Sequence, residues 1–297
     1  MREKILVTLL ILAAAIVGLS PRIQAQDAAS KAQELLKQAR AAIGGEKLRS
    51  LNSLSATGNY RRTMGDRDMT GEVQFDLILP DKMMRTETLS PVPNMEITRI
   101  EAVSGDNVWS DQQSSGMGGG MIFMRRPSDN SPQGLVRQQN SIRAELTRVT
   151  LGWLLAAPSS FPVEFTYAGQ AEAPDGKAEV LDVKGLNGFT ARLFLDQQTH
   201  KPLMLTYKGR KPQIITRQAG PPGNPEELEK RMKEVEAEAL KQPEVEFQIR
   251  FSDYHEVNGI SLPHRLTRAM DGEINEEWEI TKFKINPSLK PEKFEKK

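Results

Sequence analysis

Three histidines, His200, His255 and His264, are the whole imidazole inventory of this 297-residue chain, so a three-histidine metal centre would have to recruit every one of them. His255 lies two residues from Asp253 and one from Glu256, side-chain types that ligate metals or exchange protons. Strand alternation puts 253 and 255 on one face and 256 on the other, and His264 stands across a turn behind Pro263. A ligand cluster without a recognised spacing is a weak signal, and the two histidines read as hydrogen-bonding residues at strand ends. Gly65-Asp66-Arg67-Asp68 opens like a calcium loop but lacks the later ligands and the distal Glu, so it reads as a hairpin turn. Gly118-Gly119-Gly120 is not followed by Lys-Ser/Thr, which excludes a phosphate loop. Ser114, Ser115, Ser159 and Ser160 sit in no G-x-S-x-G frame. The residues therefore predict no metal, no cofactor and no catalytic apparatus.

Composition narrows the classes further. The chain has no cysteine, which removes disulfides, thiolate metal sites, a cysteine nucleophile and the lipidation cysteine of a lipoprotein. Arg2 and Lys4 precede an apolar run over residues 5–17 that contains one polar residue, Thr8, followed by Gly18, Pro21 and Ala25, the three regions of a secretory signal peptide in order. The run is shorter than the roughly 20 apolar residues of a spanning helix. Cleavage is expected after Ala25, releasing a soluble protein into the periplasm, with secretion beyond it as the alternative. The formal net charge is +1, and the first 25 residues carry a net of +2, so the mature form is close to neutral. That balance argues against a nucleic-acid partner, which needs a clustered basic face.

The elements that would position any site are mostly strands. Residues 28–43 place Ala32, Leu35, Leu36, Ala39 and Ile43 on one helical face, with Gly44-Gly45 as the stop. Alternation then marks strands at 54–62, 73–79, 83–89, 95–103 and 107–111, divided by turns such as Pro80-Asp81 and Gly105-Asp106. A helix runs from near Gly134 to before Pro158, with Leu146, Val149, Trp153 and Leu154 on one stripe. Strands return at 163–167, 178–183, 190–196 and 203–207, and again at 247–251, 260–269 and 274–280, the last three around Asn258-Gly259 and Asp271-Gly272. Residues 218–243 interrupt them with a Glu/Lys-rich helix that has one narrow apolar seam. The expected organisation is a signal peptide at 1–25, one domain at 26–286 and a polar tail at 287–297.

The segment 112–134 breaks the strand pattern and concentrates Met117, Met121, Ile122, Phe123 and Met124 among glycines and serines. Methionine adapts to varied apolar surfaces, and long loops in compact domains are usually functional or disordered. These five residues, with Trp153, are the predicted ligand-binding positions, as a lid over an apolar cavity; folding back into the protein's own core is the competing reading.

The order of elements, together with IGGEKLRSLNSLSATG after the first helix and FSDYHEVNGISLPHRLTR near the end, resembles the outer-membrane lipoprotein-sorting, LolA/LolB-like superfamily. The shared signals are turns and strands, Asp253-Tyr254, Val257-Asn258-Gly259 and Leu262-Pro263-His264, and the resemblance extends over nearly all the mature chain. It implies a mainly β (α+β) fold, an incomplete antiparallel β-barrel or strongly curved sheet capped by helices, with lipid between sheet and helices. It also implies a non-enzymatic carrier or sensor of a lipid, a lipoprotein acyl chain or another hydrophobic ligand, making transient membrane contact. An envelope protein–protein module is the alternative. A barrel arginine acts in gating in that family, and Arg61, Arg62 and Arg85 are the candidates here.

Overall fold

A computed structural model describes residues 21–64, 67–92, 94–115, 131–173, 176–211, 234 and 243–296. Two long helices, α1 (Pro21–Ile43) and α3 (Pro132–Leu154), a short α2 (Glu46–Arg49) and twelve strands make up the described chain. The strands are β1 (Ser53–Met64), β2 (Arg67–Ile78), β3 (Lys82–Val92), β4 (Met95–Ser104), β5 (Asn107–Ser115), β6 (Val163–Ala173), β7 (Gly176–Gly185), β8 (Thr190–Asp196), β9 (Pro202–Arg210), β10 (Glu244–Val257), β11 (Ile260–Met270) and β12 (Glu273–Ile285). All belong to one antiparallel sheet ordered β5-β4-β3-β2-β1-β12-β11-β10-β9-β8-β7-β6. Every neighbour is also a neighbour in sequence except β1 and β12, which pair from Leu54–Ile285 to Arg62–Glu276. The sheet is thus a meander whose two ends meet, and it is open at the edge strands β5 and β6. The chain between those edges contains α3.

Directly paired residues share a face, and the inner face can be read across the ladder: Leu77, Leu54 and Ile285 in one row, Phe75, Ala56 and Phe283 in the next. The helices lay their predicted stripes against this face. Ala32, Leu35, Leu36, Ala39 and Ile43 of α1 and Ile142, Leu146, Val149 and Trp153 of α3 join the same core as Leu193, Leu205, Phe251 and Leu266. Ser131 caps α3, its hydroxyl accepting from Gly134 N–H at 3.1 Å with Pro132 at the first helical position, and Leu155 ends it in the left-handed conformation. Arg40 of α1 donates to the Leu155 carbonyl at 3.0 Å, tying the two helices together.

Curvature follows from what α3 reaches. Gln139 donates to the Val108 carbonyl on β5, and six residues later Glu145 accepts from Tyr207 on β9. Eight strand spacings separate β5 from β9, about 38 Å if the sheet were flat, whereas six helical residues rise about 9 Å. The sheet is therefore bent around the helix. Gly71 marks one place where strands close in: a Cβ there would lie 1.8 Å from the Thr88 carbonyl oxygen on β3.

The stretch expected to be a polar tail is docked. Phe294, in a 3-10 turn at Pro291–Phe294, is fully buried on the outer face with Met84 and Ala102. Trp109 donates to its carbonyl at 2.8 Å, and Lys293 reaches the buried Asp76 at 2.5 Å. Among the described residues no helix is long and apolar enough to cross a membrane. Residues 1–20 of the signal peptide expected at 1–25, most of the charged helix at 218–243 and the expected lid residues Met117, Met121, Ile122, Phe123 and Met124 lie outside the described residues.

A buried charge belt as candidate functional site

Along the inner face the apolar register is interrupted at one level. On β3 the inward residues run Met83, Arg85, Glu87, Leu89; on β4, Val103, Glu101, Arg99, Ile97; on β11, Leu266, Arg268, Met270; on β12, Ile280, Trp278, Glu276. Arg62 of β1 pairs with Glu276 in the same row, and α3 adds Glu145 and Arg148 from above. Nine charged side chains thus form a belt between an apolar floor and an apolar rim. It follows from strand periodicity: a charge placed two residues from an inward apolar residue must also point inward.

The belt divides into two clusters. In the first, Arg85 Nη2 donates to Glu101 at 2.5 Å, its Nε lies 3.1 Å from Glu87, and Arg99 also pairs with Glu101. In the second, Arg268 Nη1 donates to Glu145 Oε2 at 2.6 Å and Arg148 Nη1 to Glu145 Oε1 at 2.7 Å. Glu276 accepts from Trp278 Nε1 at 3.0 Å and from the Tyr60 hydroxyl at 3.3 Å, with Arg62 3.6 Å away. Arginine planes also lie over aromatic rings: Arg148 is 3.6 Å from the Tyr207 centroid, and Trp278 carries Arg85 at 5.9 Å and Arg268 at 5.7 Å.

Burial alone would raise both acids, yet the adjacent guanidiniums win. Against that pull, Arg268, Arg148 and Arg85 hold the Glu145 carboxyl far below its ordinary 4.5, and Arg268, Arg62 and Arg85 hold Glu276 below it as well. The same burial, reinforced by Glu276 and Glu87, pushes the Tyr60 phenol well up; burial and Glu145 do so for Tyr207. Glu145 and Glu276 are thus carboxylates at neutral pH, and the Tyr60 and Tyr207 phenols are neutral donors. The belt can bind and orient a charged or polar group.

Trp153, predicted as a cavity residue, is fully buried at the centre of an aromatic group, with ring centroids 5.3 Å from Phe75, 5.4 Å from Phe283 and 6.4 Å from Trp278. Of the arginines proposed for gating, Arg85 and Arg62 face inward, and Arg61 faces outward against Glu277. That outer face carries a groove of about 830 Å³, lined by Asn59, Thr70, Glu72, Arg265 and Glu279 among others, which is polar and outside the apolar core. Glu145, Arg148, Arg268 and Glu276 were not singled out by the sequence. Their signal was present in strand registers such as Glu276-x-Trp278-x-Ile280. His255 donates to or accepts from Asp253 at 2.9 Å, and His264 stands edge-on to it at 4.8 Å.

No family model and no curated protein matches the sequence. Three solved structures align with it along most of both chains. One is a domain assigned to outer-membrane lipoprotein sorting from Vibrio parahaemolyticus, at 10% identity over 90% of this chain and 97% of that one, with a TM-score of 0.49. The second, a DUF1329 family protein from Desulfovibrio piger, is 9% identical over 89% and 97%, with a TM-score of 0.45. The third, a LolA superfamily protein from Nitrosomonas europaea, is 12% identical over 89% and 97%, with a TM-score of 0.43.

Proposed function

We propose that this protein is a non-enzymatic envelope carrier or sensor of an amphipathic, lipid-like ligand, acting in the periplasm after export. The observation that supports it most is the apolar rim beyond the belt. Leu89, Ile97, Phe247 and Met270 face inward yet stay only half-buried. An inward apolar row that the described residues leave only half-covered is where an acyl chain gains most from leaving water, about 25 cal/mol per Å² buried. The ends of β5 and β9 and the start of β10 lie at this same end of the sheet, next to Ser115, Arg210 and Glu244. The segment carrying Met117, Met121, Ile122, Phe123 and Met124 joins β5 to α3 from there, and in this reading it is the lid.

The test is uptake of a fluorescent fatty acid by the purified mature protein, with native mass spectrometry of protein isolated from membranes. Binding that falls at least tenfold in a Leu89→Ser, Phe247→Ser double variant with an unchanged unfolding midpoint supports the reading. Unchanged uptake in that variant, or none by the parent protein, overturns it.

A further inference from the structure

The two clusters of the belt are not equally balanced. Arg85 and Arg99 face Glu87 and Glu101, two charges against two. By direct ion pairs among the described residues, Arg62, Arg148 and Arg268 meet Glu145 and Glu276, three against two, with Arg62 30% exposed and also within reach of Glu87. A net positive charge in a low-dielectric interior is costly unless something answers it.

The unspent hydrogen-bond donors sit in the same cluster. Arg148 is 8% exposed, and its Nε is fully buried with no hydrogen-bond partner among the described residues. Arg268 Nη2 is likewise buried and unpartnered, and its Nε lies 3.3 Å from Glu276 Oε1 without forming a hydrogen bond. Glu145 bridges both guanidiniums, one oxygen to each, so the free N–H groups belong to a pair already held close. Buried guanidinium donors are seldom left unpaired, and a planar fork is suited to carboxylate and phosphate oxygens.

We infer that the Arg148–Arg268 pair is an anion site that receives the carboxylate or phosphate oxygens of the ligand's polar end, its apolar part lying along the rim toward Phe247 and Met270. Phe247 stacks on Tyr207 at 5.1 Å, and Tyr207 lies under Arg148, so anion site and rim are contiguous. This inference rests on the carrier reading and gives it a substrate class: singly charged anionic amphiphiles rather than neutral ones.

The probes are oleate, oleyl alcohol and inorganic phosphate, titrated calorimetrically into the full mature chain. Oleate should bind about tenfold or more tighter than oleyl alcohol, the equivalent of one charge-assisted hydrogen bond. Arg148→Lys, which keeps the charge but loses the fork, should remove most of that preference while oleyl alcohol is unaffected. Because Arg268 holds both Glu145 and Glu276 in the fold, the second variant is Glu145→Gln. It leaves three guanidiniums facing one carboxylate and should tighten oleate several-fold, opposite in sign to a merely structural loss. Equal affinity for oleate and oleyl alcohol overturns the anion site and leaves the carrier reading standing. Phosphate binding that is weakened by Arg148→Lys, without binding of either lipid, upholds the anion site and overturns the carrier reading. Binding of none of the three overturns both, and phosphate binding indifferent to both variants marks an adventitious ion only.

Discussion

Arg85 divides its guanidinium between Glu87 and Glu101, all three nearly inaccessible to water. Replacing it by methionine keeps much of the volume but strands Glu87 in the interior and leaves Glu101 with Arg99 alone, and breaking a buried pair this way costs about 3–5 kcal/mol. Urea unfolding of Arg85→Met should show that loss. A further Glu87→Gln change should recover part of it, and a midpoint close to the parent's in the single variant would mean that the pair is more hydrated than its burial suggests. The acids of the other cluster give a pH signature. Glu145 and Glu276 both titrate below 4.5 in the folded state, so their stabilisation is complete above the ordinary carboxylate range and drains away as pH falls below it. The urea midpoint should hold from pH 7 to about 5 and drop steadily toward pH 3; a flat profile to pH 3 would contradict the assignment. These residues were hard to see in the sequence because a charge on a strand is normally read as facing solvent. Only the apolar residues two positions away reveal which way it points.

α3 is the element on which the site depends, since Glu145 and Arg148 reach the belt only if the helix sits close to the sheet. Gly152 permits that distance: a Cβ there would stand 1.9 Å from the ring of Phe251, itself buried. In an exposed helix Gly→Ala gains up to about 1 kcal/mol, but here the methyl must displace an aromatic ring or lift the helix. Gly152→Ala should therefore lower stability by about 1–3 kcal/mol, the usual cost of overpacking. It should weaken oleate binding as well, and a stabilised variant would show that α3 has room to spare. At this scale the sequence was informative. The α1 stripe, the α3 stripe and the twelve strand positions all follow from periodicities of 3.6 and 2, and Asn258-Gly259 and Asp271-Gly272 form hairpin turns with positive φ as their types require. Boundaries were less legible, because strand ends such as Glu244–Phe247 are held by pairing with β9 rather than by a strong local pattern.

For the molecule as a whole, the docked C-terminus shows where local reading stops. A stretch of Lys, Pro and Glu gives no hint that Phe294 fills a site between Met84, Ala102 and Trp109, since that contact depends on the outer face of strands almost 200 residues earlier. Ending the chain at Pro287 would uncover Trp109 and leave Asp76, fully buried, without Lys293. Differential scanning calorimetry should show a loss of about 2–5 kcal/mol, a cavity and an uncompensated charge together; a melting temperature equal to the parent's would mean the tail only rests on the surface. The pairing of β1 with β12 has its own consequence, in time rather than in space. β1 is among the first strands to be synthesised and waits for the last one, so both ends of the growing sheet present unpaired backbone until almost the entire chain is available. Contacts of such long sequence separation form slowly, and the waiting edges are templates for wrong partners. A chain interrupted before β12 should accordingly accumulate as aggregates rather than as a shortened native form, and the rate at which the final strand is delivered becomes part of how this protein reaches its folded state.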